Sequence, residues 1–188
     1  MSNQDGRVLR SVKSQKLIVG AYIKLLRAGT MEPTAQMVAD KSRIGIRTVF
    51  RQFDDMGNLF KSVDAELSKD YNFDIKFDPI SSFDHRLAIA INHLNSGYKK
   101  HRLIMFATVS NMWKYKFLEK NYMNYQKIIR KKTEEVLPEV LNFDSELQEL
   151  THATLSFAFW TRLQGQGLKK DQIKSAVVRQ CMMIFNSQ

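Results

Sequence analysis

Apolar residues in this chain recur at intervals of three and four along most of its length, and only three prolines, Pro33, Pro79 and Pro138, interrupt them. That period places apolar side chains on one face of a helix, whereas a half-buried strand would alternate. The pattern predicts an all-α protein. From Lys16 to Arg27, Leu17, Ala21 and Leu25 form one row and Ile18, Tyr22 and Leu26 the next, together one buried stripe. Gly29 ends this helix, and Pro33 and Thr34 open a second, capped by Thr34, with Met37 and Val38 facing inward. The spacing breaks near Lys41 to Gly45. It resumes at Ile46, Val49, Phe50 and Phe53, a third short helix that Asp54 and Asp55 end while capping a fourth.

The fourth helix, about Met56 to Tyr71, is expected to bury Leu59, Phe60, Val63 and Leu67 and to connect two regions. Asn72 to Ser82 reads as a loop, because the residue before Pro79 is pushed out of helical geometry. Further helices are expected at about 83–98, 101–111, 113–136, 144–164 and 169–185, about nine in all, with Gly165 and Gly167 turning the last pair. That pair is apolar over a broad surface, enough to meet both the chain's own core and a second subunit. Leu155, Phe159, Ile173, Val177 and Met182 are the candidate dimer interface.

Charge is unevenly placed. Residues 1–53 hold ten Lys or Arg against three acids, so +7 of the net +10 lies there, and a polyanion would be drawn mainly to this third. With 44% hydrophobic and 26% charged residues the chain is composed to fold. Cys181 is its single cysteine, which excludes an intrachain disulfide and suits a reducing compartment. Apolar runs such as Leu103 to Val109 are far too short to span a bilayer, and the polar start, Met1 to Arg10, lacks a secretory signal. A cytoplasmic protein with no membrane partner is expected.

The segment from Thr34 to Phe53 carries the functional signal. Two short helices joined by a tight turn, after a longer supporting helix, have the geometry of a helix-turn-helix. Val49, Phe53 and the turn residue Ile44 can pack inward, leaving Arg47, Thr48, Arg51 and Gln52 outward. Arginine can pair with guanine through two hydrogen bonds, glutamine with adenine, and threonine can reach a phosphate or a thymine methyl. The amides that start the second helix, beside Thr34, can hold a phosphate. Double-stranded DNA is the expected partner.

From about Leu17 to Leu67 the chain resembles the N-terminal domain of the TetR family. The shared register runs from the helix ending at Gly29 through Thr34, Met37-Val38-Ala39, Ile44, Thr48, the aromatic Phe50, Phe53 and the acidic pair to Leu59-Phe60. The resemblance implies a recognition helix at about 45–51 contacting a half-site through Gly45, Ile46, Arg47, Thr48, Phe50 and Arg51. It also implies a head at 1–53, a connecting helix at 54–72 and a ligand-binding and dimerisation domain at 73–188. Some positions depart from the family's habit. Arg43 stands where a turn glycine is usual, implying a positive φ, and Gly45 replaces a capping serine or threonine. Phe50 lacks the hydroxyl of the common tyrosine. Met56 replaces a lysine, a phosphate contact for which Lys61 or Arg43 can substitute.

Beyond residue 83 the sequence itself shows a helical core rich in aromatic residues and methionine. The resemblance implies a pocket there for a small-molecule effector. Its candidate lining is Met105, Phe106, Met112, Trp113, Phe117, Tyr122, Tyr125, Phe157 and Trp160. Lys99 to Lys132 carries ten basic residues with Glu119 as the one acid, which reads as a solvated face or a site for an anionic effector. His85, His93 and His101 recur every eight residues, about 12 Å along a helix and too far to share one metal ion. Cys181 has no base spaced for it, and Gly165-Gln166-Gly167 lacks the strand that a phosphate loop follows. The chain therefore reads as a non-enzyme without metal or cofactor. The expectation is a sequence-specific transcriptional regulator, a ligand-responsive homodimeric repressor of a palindromic operator. The alternative is a helical small-molecule binder without specific DNA binding.

Overall fold

The computed structural model describes residues 2–187, with side chains from Gly6 onward. Met1 and Gln188, the outer ends of the expected 1–53 and 73–188 segments, lie outside the described residues. The protein is all-α. Nine α-helices are described: α1 (Ser2–Arg27), α2 (Ala35–Ser42), α3 (Ile46–Phe53), α4 (Met56–Leu67), α5 (Phe83–Asn111), α6 (Lys116–Val136), α7 (Ser145–Thr154), α8 (Phe157–Gly165) and α9 (Lys170–Phe185). No strand occurs among the described residues.

The chain divides into two compact units. The first holds residues up to Tyr71 together with Arg102–Met123, and the second holds Asn72–His101 and Asn124 onward. In the first unit α1 packs against α2, α3 and α4. Its core joins Ile18, Ala21, Tyr22 and Leu26 of α1 to Val38 and Ala39 of α2, Val49 and Phe53 of α3, and Leu59, Phe60 and Val63 of α4. Ile104, Ala107 and Leu118 complete it, so the segment 102–123 shares this interior. Phe60 is the hub, with Tyr22 at 5.5 Å and Tyr115 and Phe117 each at 6.4 Å between ring centroids. Burying side chains of this size stabilises by about 1.5 to 3 kcal/mol each. The expected connecting helix, 54–72, thus has its inner face in the core of the first unit.

In the second unit α7, α8 and α9 pack on one another around Leu155, Phe157, Trp160, Ile173, Val177 and Cys181. Tyr98 lies among them and donates its hydroxyl to the Leu155 carbonyl at 2.7 Å. Arg86 is 9% exposed and donates to the carbonyls of Val136 and Ser81 at 3.0 and 2.7 Å and to the Glu139 carboxylate. A buried guanidinium needs these partners, because a charge left without them in the interior is costly.

Three expected boundaries move. α1 begins at Ser2, not near Lys16. The expected break at 98–101 is absent, since Leu94, Tyr98, Ile104 and Ala107 keep helical spacing while Lys99 and Lys100 take the exposed side. The expected helix at 144–164 is split, because Ser156 caps a new helix by accepting from the Phe159 amide at 3.2 Å. Two inward assignments are also corrected. Leu17 is 48% exposed and Met37 is 37% exposed, as each falls to the side of the stripe that Ile18 and Val38 occupy.

Candidate nucleic-acid interface

Thr34 ends the loop after Gly29 in extended geometry, and its hydroxyl accepts from the Met37 amide at 3.3 Å. This satisfies one of the free amides that begin α2. α2 ends at Arg43, whose φ of 57° and ψ of 35° are left-handed, as expected for the place of a turn glycine. The Arg43 amide donates to the carbonyl of Asp40, closing the helix end. Three residues, Arg43, Ile44 and Gly45, then lead into α3. Gly45 caps α3 without a side chain, and the amides of Thr48 and Val49 donate to its carbonyl at 2.8 and 3.2 Å.

α3 is strongly two-sided. Val49 and Phe53 are buried, with Ile44 and Ile46 packed partly against the same core. Arg47 and Arg51 are exposed, as are Arg43 and Gly45 before them and Lys61 on α4. Phe50 is 42% exposed, a large apolar ring on the outer side. Thr48 is half-buried. No ion pair among the described residues involves Arg43, Arg47, Arg51 or Lys61. Four cations and an aromatic ring thus remain available on and beside one short helix.

Gln52 departs from expectation. It is half-buried, and its Oε1 accepts from the Ser11 hydroxyl of α1 at 2.9 Å, so its carbonyl is engaged within the chain rather than free to read a base. Ser11 was not legible as a partner of α3, because the apolar stripe by which α1 is recognised starts only at Ile18. The one available signal was the run of basic residues from Arg7 to Lys16.

The α1–α2 loop is held from the other side. Lys114, in the turn between α5 and α6, pairs with Glu32 at 2.5 Å. The Glu32 hydrogen bond, and then the neighbouring Tyr115, raise the Lys114 pKa above the ordinary lysine value. Burial, with Tyr115 and Glu32 nearby, raises the Tyr22 phenol well above its ordinary value, so it is neutral at physiological pH. Asn121 donates to the buried Asp64 carboxylate of α4 at 2.7 Å.

The candidate effector-pocket residues fall in both units. Met105, Phe106, Met112, Trp113, Phe117 and Tyr122 belong to the first unit, and Tyr125, Phe157 and Trp160 to the second. Met112 and Phe117 pack against the first unit's core, while Trp113 is 83% exposed in the turn after α5. Arg102 sits over the Phe106 ring at 5.2 Å, and Tyr125 stacks on Phe73. In the second unit a pocket beside Asn95, Tyr98, Ser156 and Trp160 has a volume of about 10 Å³, room for about one water. Trp160 alone of the nine lines it.

The candidate dimer residues are corrected in part. Leu155, Ile173 and Val177 are 4%, 1% and 3% exposed, because the chain's own helices already cover them. Phe159 and Met182 are partly exposed. The basic stretch from Lys99 to Lys132 is also less bare than its sequence. Arg130 pairs with Glu134 and Glu149, Lys132 with Asp74 and Glu135, and Lys114 with Glu32. Among the described residues no helix is long and apolar enough to cross a membrane.

An all-α protein with an exposed basic face on a short, packed helix is the class that fold and site define. No family model, curated protein or solved structure matches the chain.

Proposed function

We propose that this protein is a sequence-specific DNA-binding regulator, with α2 and α3 as a helix-turn-helix and α3 as the recognition helix. One observation carries the reading: α3 buries Val49 and Phe53 while Arg47 and Arg51 stand exposed on the same eight-residue helix. A helix that enters a major groove needs this division, a packed inner side and an outer side of donors for base edges and phosphates. The excess of +7 among residues 1–53 supports a polyanionic partner, and Arg43 and Lys61 supply further cations for phosphates. The TetR-like register adds the expectation of a homodimeric repressor on a palindromic operator. Exposed apolar residues in the second unit, Leu150 at 52% and Met183 at 67%, together with the partly exposed Phe159 and Met182, favour a surface between two copies. An effector would have to open the small pocket beside Tyr98 and Trp160 to enter it. Its differential affinity for the two states would then set the regulation.

Selection of bound fragments from random duplex DNA tests the reading. The expected result is a two-fold symmetric consensus that outcompetes unrelated DNA by orders of magnitude. Arg47→Ala is expected to weaken the selected site by about 1 to 3 kcal/mol if it reads a base, or to lower the salt dependence if it holds a phosphate. Recovery of no enriched sequence, with no salt-dependent binding to any duplex, refutes the proposal.

A further inference from the structure

α1 continues far beyond the core that holds it. Among its described side chains Ile18 is the first that is buried, yet the helix begins at Ser2, and none of Gly6 to Leu17 is buried. A helical stretch that buries no side chain gains little from packing, and short helices are marginal alone in water. The content of this stretch is charge. From Ser2 to Leu17 there are four cations, Arg7, Arg10, Lys13 and Lys16, against one acid, Asp5. No ion pair among the described residues involves Arg7 or Arg10.

The extension is registered to α3. Ser11 donates to Gln52 at 2.9 Å, one residue from the end of that helix. Arg7 lies one turn before Ser11, and Arg10 one turn before Ser14, whose hydroxyl donates back to the Arg10 carbonyl. Ser11 and Ser14 in turn lie two turns and one turn before Ile18. The rows that pack into the core at Ile18 therefore continue outward as serine and then arginine.

We propose that the N-terminal turns of α1 are a second DNA-contacting element, in which Arg7 and Arg10 hold backbone phosphates beside the groove that α3 enters. The inference rests on the duplex-DNA reading above and extends it to residues outside the helix-turn-helix. Val8, Leu9 and Val12 are 61%, 68% and 42% exposed, so an anionic membrane surface is the competing partner for a basic amphipathic helix. DNA is favoured because the Ser11–Gln52 bond fixes the arginine rows at the end of the helix that exposes Arg47 and Arg51.

The test is fluorescence anisotropy of the full chain, from 50 to 200 mM salt, on a selected fragment and on an unrelated one. It compares the parent with Arg7→Gln/Arg10→Gln and with Arg7→Lys/Arg10→Lys. Loss of two phosphate contacts per protomer, four per bound dimer, is expected to reduce the slope of log affinity against log salt by about 3.6, a roughly 150-fold smaller loss of affinity over that range. The ratio between the two fragments is expected to stay unchanged. The lysine pair is expected to keep the parent's slope, which separates lost charge from a damaged helix. A parental slope in the glutamine pair overturns the proposal while leaving the DNA reading intact. Failure of the parent to bind either fragment removes the DNA reading itself. Parent binding to phosphatidylcholine–phosphatidylserine vesicles that the glutamine pair loses, with no change in DNA slope, overturns the proposal in favour of a membrane surface.

Discussion

Replacing Asp54 by glycine is expected to stabilise the protein. Asp54 has φ 61° and ψ −50°, a backbone conformation that L residues rarely adopt. The Asp55 amide donates to the Phe53 carbonyl at 2.7 Å across it, which makes the link between α3 and α4 a γ-turn centred on Asp54. Holding a non-glycine residue in so sparse a region costs about 1 to 3 kcal/mol. Glycine escapes most of that cost but loses about 0.5 to 1 kcal/mol through its freer unfolded chain. The net gain is then about 1 kcal/mol, or about 2 to 4 °C in thermal midpoint for a chain of this length. Asp54 also sets an exposed negative charge at the C-terminal end of α3, where the helix dipole disfavours it. Asp54→Asn isolates that charge, and Asp54→Ala keeps the strain while removing the carboxylate. Melting followed by circular dichroism is expected to rank glycine above asparagine and alanine. A glycine variant that melts at or below the parent, or an alanine variant that gains as much, refutes the strain argument.

Two further outcomes follow from buried titratable groups. Burial pushes the Cys181 thiol up to about 12, and its side chain is 0% exposed, so a disulfide reagent at pH 8 is expected to label it only after denaturation; prompt labelling of the native chain contradicts this. His152 is held below the ordinary imidazole value, first by burial and then by Arg130, although Glu134 lies 3.2 Å from its Nε2. Its unfolded form binds the proton more readily, so this contribution is full above about pH 6.5 and is lost as the pH falls through that value toward the folded pKa. Urea midpoints are expected to fall between pH 7 and pH 5, and His152→Gln is expected to flatten that fall; an unaltered slope in the variant shows that another group is responsible.

The helical architecture was legible because three- and four-residue spacing is a local property. Val49 and Phe53 had to face one way, and Arg47 and Arg51 consequently the other. Thr34, Asp55 and Gly29 announced helix ends through chemistry that needs no distant partner: a side-chain oxygen for a free amide, or a glycine for a φ of 97°. The positive φ of Arg43 was implied by the TetR resemblance, where a turn glycine is usual at that place.

Contacts between distant segments were not legible. Gln52 had the composition of a base reader until α1, forty-one positions earlier, supplied Ser11 to its carbonyl. Leu155, Ile173 and Val177 had the composition of an interface, but the chain's own helices cover them. The segment 102–123 joined the first unit because Ile104, Ala107 and Leu118 share one buried core with Phe60, a choice that no spacing along the chain could announce. Sequence alone determined the helices and the two sides of α3, since both follow from neighbours within a turn. Tertiary structure decided which polar groups remain free and which apolar ones are already covered, because burial depends on every segment that packs nearby.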